Sequence, residues 1–245
     1  MLILLPPSEG KAAPESGAPL DLGSLVYAER LRPNREALLD ALEKLAQAPR
    51  KTAVKKLGVS AGQAGEIDVN AGLRAAPAAP AAEVYTGVLY DRLRLPELTA
   101  KARKRVLIAS ALWGVVRPGD RIPYYRFSAK ARLDRIGPPA SFWRPALAAT
   151  MPDEEGELIV DMRSGAYAAA WKPKRASRIA VRAFTEGGRR KPVSHMAKAV
   201  RGDVARALLL ARKAPGDPEG AADVAAKAGF EVELNGANLD VIVSD

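Results

Sequence analysis

The sequence predicts an α/β protein on a mixed sheet, and three observations lead there. Apolar runs of strand length recur at 2–5, 106–110, 158–161, 179–184, 230–234 and 239–243. The segments between them carry helical periodicity, and strands interleaved with helices place the chain in the α/β class. The spacing of the runs is irregular and the chain holds 19 prolines, which argues against a regular doubly wound sheet.

Taken in order, Leu2 to Leu5 read as a buried first strand that stops at Pro6-Pro7. It has no basic leader and is too short for a signal peptide. Pro6-Pro7-Ser8-Glu9-Gly10-Lys11 follows as a tight polar loop, at the strand end where α/β sheets place ligands. Residues 24–74 read as a helical subdomain hung on the α/β body. Within it, Leu38, Leu39, Leu42 and Leu45 predict a helix over 34–47 behind Asn34 as N-cap. Ser60 and Gln63 form a capping-box pattern that starts a further helix. Lys55, Lys56, Gly58 and Ser60 then match a helix-hairpin-helix-like turn, whose backbone N–H groups and lysines can face a phosphate. An ordinary pair of helices explains the same residues. Residues 75–82 are a Pro/Ala linker expected to extend rather than pack.

The longest apolar run, 106–116, is far short of the roughly 20 residues of a membrane span, so a cytoplasmic protein with no membrane partner is expected. Near the C-terminal end, Ser194 opens a helix with Met196, Val200, Val204, Ala207 and Ala211 on one face and Lys198 and Arg201 on the other. Gly202 either costs that helix about 1 kcal/mol or divides it. Asp217-Pro218 caps a last helix that ends before Gly229.

Composition removes whole classes of chemistry. The 245 residues contain no cysteine and one histidine, His195. Disulfides, thiolate metal sites and cysteine nucleophiles are excluded, and no paired-histidine metal site can form; neither a metal nor a cofactor is expected. The net charge of +10 is unevenly distributed: residues 1–80 carry +1, 81–213 carry +15 and 214–245 carry −6. A localised basic surface follows, of the kind that meets phosphates.

Within that basic stretch, Trp113, Tyr124 and Tyr125 alternate with Arg117, Arg121 and Arg126 around Asp120. Such residues can stack on bases and hold phosphates; equally, Trp113 and Tyr125 can be core anchors. Ser194-His195 is not a catalytic pair, because neighbouring helical side chains diverge. Glu9, Lys11, Asp120 and Tyr167 are the acid/base candidates.

In order along the chain, Pro6 to Lys11, Val84-Tyr85-Thr86-Gly87, Leu112-Trp113-Gly114-Val115-Val116-Arg117-Pro118 with Asp120, Tyr125-Arg126, Phe142-Trp143, Ser164 with Tyr167, Lys172-Pro173-Lys174, Ser194, Lys198 and Arg201-Gly202 resemble the YaaA peroxide-stress protein family, in an actinobacterial form. The resemblance spans nearly the whole chain. It implies a single domain over 1–245, with residues 24–82 internal to it, a helix-hairpin-helix-like element and a positively charged cleft. It also implies DNA binding and protection from hydrogen peroxide by keeping free iron low. The anion- or nucleic-acid-binding positions it implies are Lys11, Arg117, Tyr125, Arg126, Lys174, Lys198 and Arg201. The chain departs from the family at 161–169, where Asp161-Met162-Arg163-Ser164-Gly165-Ala166-Tyr167 and Ala169 lack the glutamate and lysine of enterobacterial members.

Two functions compete for these residues: a DNA binder of low sequence specificity, and an enzyme acting on a phosphorylated or nucleobase-containing small molecule in the same cleft. The oligomeric state is not legible. Direct iron storage fits poorly, since one histidine leaves only oxygen donors.

Overall fold

The computed structural model describes residues 1–185 and 196–243. Its strands are β1 (Leu2–Leu5), β2 (Ala79–Pro80), β3 (Val106–Ser110), β4 (Gly114–Val116), β5 (Arg121–Ile122), β6 (Leu158–Asp161), β7 (Ser177–Thr185), β8 (Glu231–Asn235) and β9 (Asn238–Val243). The α-helices are α1 (Ala28–Ala46), α2 (Arg50–Leu57), α3 (Glu66–Ala71), α4 (Ala81–Val84), α5 (Val88–Leu93), α6 (Ala100–Arg103), α7 (Pro139–Ala148), α8 (Gly165–Ala168), α9 (Met196–Leu210) and α10 (Pro218–Lys227).

Seven strands form one sheet in the order β4-β3-β1-β6-β7-β9-β8. The five central strands are parallel, and β4 and β8 are antiparallel edges. The sheet is therefore mixed, with a parallel centre that the irregular spacing of the apolar runs concealed. β1, β3 and β6 are buried along their whole length, as continuously apolar parallel strands covered on both faces must be. All six apolar runs become strands; β2, β4 and β5 are too short to have shown a period.

Several boundaries move, each for a physical reason. Helix α1 starts at Ala28, six residues before Asn34, and carries Pro33 inside it. Its early turns hold because Leu31 and Arg35 are fully buried, so packing overrides the proline. The Pro/Ala stretch does not simply extend. β2 pairs with β5, and Ala78, Ala81 and Ala82 are buried, because methyl side chains let the backbone lie close to the body. Gly202 neither ends nor divides α9. Its position against α5 leaves a Cβ no room, since the Leu89 carbonyl and the Arg92 Cβ at 2.8 Å occupy the space. The buried face of α9 is Val200, Val204, Ala205, Leu208 and Leu209, whereas Met196 is exposed and Ala207 half-buried; the seam is rotated towards the α5 crossing that Gly202 permits. Asp217 caps α10 through the Gly220 N–H at 2.7 Å, and Gly229 follows with φ 92°, as expected.

At the carboxyl end of β6, Asp161 is buried and receives two hydrogen bonds from the Arg163 guanidinium, at 2.8 and 2.9 Å, one from the Arg163 backbone N–H at 3.1 Å and one from the Arg178 guanidinium at 2.9 Å. Burial alone would raise this carboxyl. The hydrogen bonds and charges of the two arginines outweigh it and hold the group below its ordinary value. An aspartate held this way stabilises the fold fully above its unfolded value near 3.9 and loses that contribution as pH falls through the native value.

Two outcomes test this packing. Gly202→Ala should lower stability by about 1–3 kcal/mol in denaturant unfolding, while Gly165→Ala, where a Cβ meets nothing within 4 Å, should be neutral; equal effects would contradict the crossing. Asp161→Asn should cost about 3 kcal/mol at pH 7 because it leaves buried guanidinium uncompensated. The gap from wild type should close below about pH 4, and a gap constant down to pH 2 would remove the ion-pair account.

Candidate functional site

Beyond β1 the chain turns away through Pro6 to Lys11 and is stitched to the Tyr85–Gly87 turn. The Ser8 hydroxyl donates to the Thr86 carbonyl, Thr86 N–H to Gly10 at 3.3 Å and Ala12 N–H to Val84 at 2.9 Å. Gly87 makes the turn into α5 with φ 96°, a conformation that L side chains rarely adopt. Tyr90, on the first turns of α5, donates its hydroxyl to the Pro6 carbonyl at 2.7 Å. These bonds shape one wall of a cleft of about 370 Å³, which Ser164, Tyr167, Lys198 and Arg201 close from the other side. A narrow crevice adjoins it, sharing Ser8, Glu9 and Tyr167 and adding Lys11, Arg126 and Ser128.

Each cation is held differently. Arg201 is half-buried and donates Nε to the Val181 carbonyl at 3.1 Å. Lys198, one turn earlier on α9, is exposed and lines the cleft. Arg126 is fixed by Asn70, a buried side chain that bonds both backbone groups of residue 126, at 2.7 and 2.9 Å. Its guanidinium donates to the Glu9 carbonyl at 3.1 Å and lies 4.0 Å from the Glu9 carboxylate. Lys11 donates to the Ser8 carbonyl at 2.6 Å and packs 4.5 Å over the Tyr125 ring. Burial, then the Arg126 charge, draws its ammonium down to about 8, against Glu9 and Glu66, which raise it. Tyr167 is pushed up to about 12, chiefly by burial, so its phenol stays a proton donor at neutral pH.

The structure thus brings together Glu9, Lys11, Arg126, Tyr167, Lys198 and Arg201, and leaves other candidates elsewhere. Arg117 and Asp120 line a separate depression with Arg103 and Lys104. Asp120 there accepts the Val26 and Arg117 backbone N–H groups, both at 2.9 Å, and burial raises its carboxyl; it latches a loop rather than orienting arginine side chains. Lys174 is exposed and lines neither cavity; its backbone is held by Asp153. Tyr125 is buried beneath Lys11, with its hydroxyl 2.7 Å from that of Tyr85 and 2.8 Å from Ser110 Oγ. Its ring is a seat for the lysine and is closed to a base, and Trp113 is equally buried. Ser194, His195 and the basic cluster at 189–191 lie outside the described residues.

In the hairpin region, α2 ends at Gly58 with φ 74° and a short 3₁₀ turn follows Ser60, whose N–H donates to Gln63 at 3.2 Å. Lys55 is exposed, while Lys56 pairs with Asp134 at 2.5 Å. Among the described residues, no group of three or more His, Asp or Glu side chains is arranged to hold a metal ion, and no helix is long and apolar enough to cross a membrane. Sequence reasoning missed Asn70 and Glu66. Glu66 accepts the Tyr124 hydroxyl at 2.8 Å, and its other oxygen is buried with no hydrogen-bond partner among the described residues. Neither belongs to a motif, and only the folded chain sets α3 against residues 124–126.

A UPF0246 protein of Streptomyces coelicolor is 43% identical, over 100% of this chain and 99% of its own. One from Corynebacterium efficiens is 41% identical over 96% of each, and an uncharacterized protein of Campylobacter jejuni is 30% identical over 82% of each. The family described as Peroxide stress protein YaaA matches residues 1–234, and with a match of that extent this chain belongs to that family.

Proposed function

We propose that this protein acts in peroxide stress by binding DNA through its basic surface with little sequence specificity, receiving backbone phosphate at the cleft beyond β1. One observation carries the reading: Lys198 and Arg201 from α9 meet Arg126 and Lys11, from distant parts of the chain, around one cleft and its crevice. Phosphate contacts of this kind position a duplex without reading its sequence. The excess of +15 over residues 81–213 supplies the wider attraction. The α2–Gly58–Ser60 turn adds a second phosphate contact as a helix-hairpin-helix-like element, with Lys55 exposed and Lys56 already paired to Asp134.

A second reading has its own support. A volume of about 370 Å³ lies in the range of small-ligand pockets, which favours an enzyme acting on a phosphorylated or nucleobase-containing molecule, with Glu9, Lys11 and Tyr167 at the reacting groups. Both readings place phosphate in one site, in a cytoplasmic protein.

Titration of affinity against salt with duplex and branched DNA separates them. Neutralising roughly six phosphates gives a slope of log K on log salt of about −5. Arg126→Glu should abolish cleft-dependent binding, whereas Lys101→Glu, on the exposed face of α6, should change it about twofold at most. Equal losses from both reversals reduce the binding to bulk charge, and no binding at low salt refutes the DNA reading.

A further inference from the structure

The crevice beside the cleft holds an amine in a setting that surface lysines lack. Lys11 is half-buried, seated over the Tyr125 ring at 4.5 Å and the Tyr85 ring at 5.7 Å. Among the described residues its ammonium makes one hydrogen bond, to a neutral carbonyl, Ser8 O, at 2.6 Å. Among the described residues no carboxylate lies within ion-pair distance of it; Glu9 and Glu66 act on it from further away, and Arg126 opposes its charge. The crevice wall places Lys11 and Arg126 together, with Tyr167 and Glu9 linking them to the larger cleft. An amine without a counter-ion, beside a fixed guanidinium, is the arrangement in which a lysine acts as a nucleophile on a carbonyl compound.

We propose that Lys11 is a covalent amine site for an aldehyde carried on a phosphorylated ligand, with Arg126 holding the phosphate. The neutral Lys11 nitrogen attacks the carbonyl carbon and passes one proton to the carbonyl oxygen, giving a carbinolamine. Breaking the carbon–oxygen bond then releases that oxygen as water with the second amine proton and leaves a C=N bond. Nothing is oxidised or reduced, and hydrolysis reverses the step. Tyr167, a phenol at neutral pH, is placed at the junction to donate a proton to the departing oxygen. With burial drawing Lys11 down to about 8, the neutral fraction at pH 7 is about 200-fold that of an ordinary lysine near 10.4. The inference rests on the phosphate reading of the cleft but needs no DNA, since a sugar phosphate and an abasic site in a DNA strand present the same aldehyde-plus-phosphate chemistry.

Borohydride trapping with mass-spectrometric peptide mapping tests it, with pyridoxal 5′-phosphate as probe at pH 7. The dominant adduct should map to Lys11 and vanish in Lys11→Arg, and labelling of the remaining lysines should be unchanged. Arg126→Ala should reduce labelling of Lys11 by the phosphorylated probe about tenfold and leave labelling by unphosphorylated pyridoxal near wild type. If Lys11→Arg unfolds, the pH dependence of labelling in wild type decides: half-labelling near pH 8 at Lys11 supports the proposal, and the same rise towards pH 10 at every lysine overturns it. Adducts spread over surface lysines by exposure also overturn it. Trapping with ribose 5-phosphate and with an oligonucleotide bearing one abasic site then identifies the source of the aldehyde. Because trapping reads a covalent mass rather than affinity, it can succeed where salt-dependent DNA binding fails, and the reverse.

Discussion

The site depends on a reversal of strand order at β1. The chain leaves β1 for β3 on one side, then returns past it to β6 on the other. Connections from β1 and β6 therefore diverge at their carboxyl ends and leave a crevice that backbone cannot fill. Everything gathered there arrives by a different route: Ser8 to Lys11 directly from β1, Ser164 and Tyr167 from β6, and Lys198 and Arg201 from α9, which packs on α5. The polar loop after the first strand was the part of this arrangement whose place at a strand end was visible before folding.

Away from that crevice the fold buries a charge whose hydrogen bonds go to backbone. Arg35, fully buried in α1, donates to the carbonyls of Trp113, Val26 and Val115 at 2.8 to 3.1 Å and, among the described residues, meets no carboxylate directly. Burial draws its guanidinium down to about 10 even with Asp120 nearby. Val26 joins the two, its carbonyl accepting from Arg35 and its N–H donating to Asp120. The segment before α1 is thereby tied to edge strand β4 and to the loop that follows it. Asp120, a family motif position, thus has a sufficient structural role in the backbone groups it satisfies; a motif residue here marks a shape that must be kept as readily as a group that reacts.

This explains what could be read from the chain and what could not. The six apolar strands and the Asp217 cap were legible because each rests on local periodicity or a local hydrogen bond. The early start of α1, the packed Pro/Ala stretch and the continuity of α9 were not, because each is decided by a tertiary partner: buried Arg35, the pairing with β5 and the Leu89 carbonyl. In the site, Lys11, Arg126, Lys198 and Arg201 were legible as charges in motifs. Their grouping apart from Arg117 and Lys174 was not, since charge along a sequence carries no information about which cavity a side chain faces. Asn70 and Glu66 were invisible for the same reason, being ordinary helical residues until α3 is set against residues 124–126.

Family membership and composition together narrow the chemistry further. A peroxide-stress protein without cysteine cannot take peroxide through a thiolate, which is the residue chemistry that senses or reduces it most directly. What the cleft offers is of a different kind: fixed positive charge, a phenol that keeps its proton and an amine that gives its proton up readily. These are groups suited to holding an anion and to polar bond-making at carbon, so the proposed protection would act on the molecules that peroxide damages or on those that govern the damage. The proposed covalent site follows the same logic as the charge, for a phosphate held by Arg126 would deliver to Lys11 whatever electrophilic carbon the ligand carries.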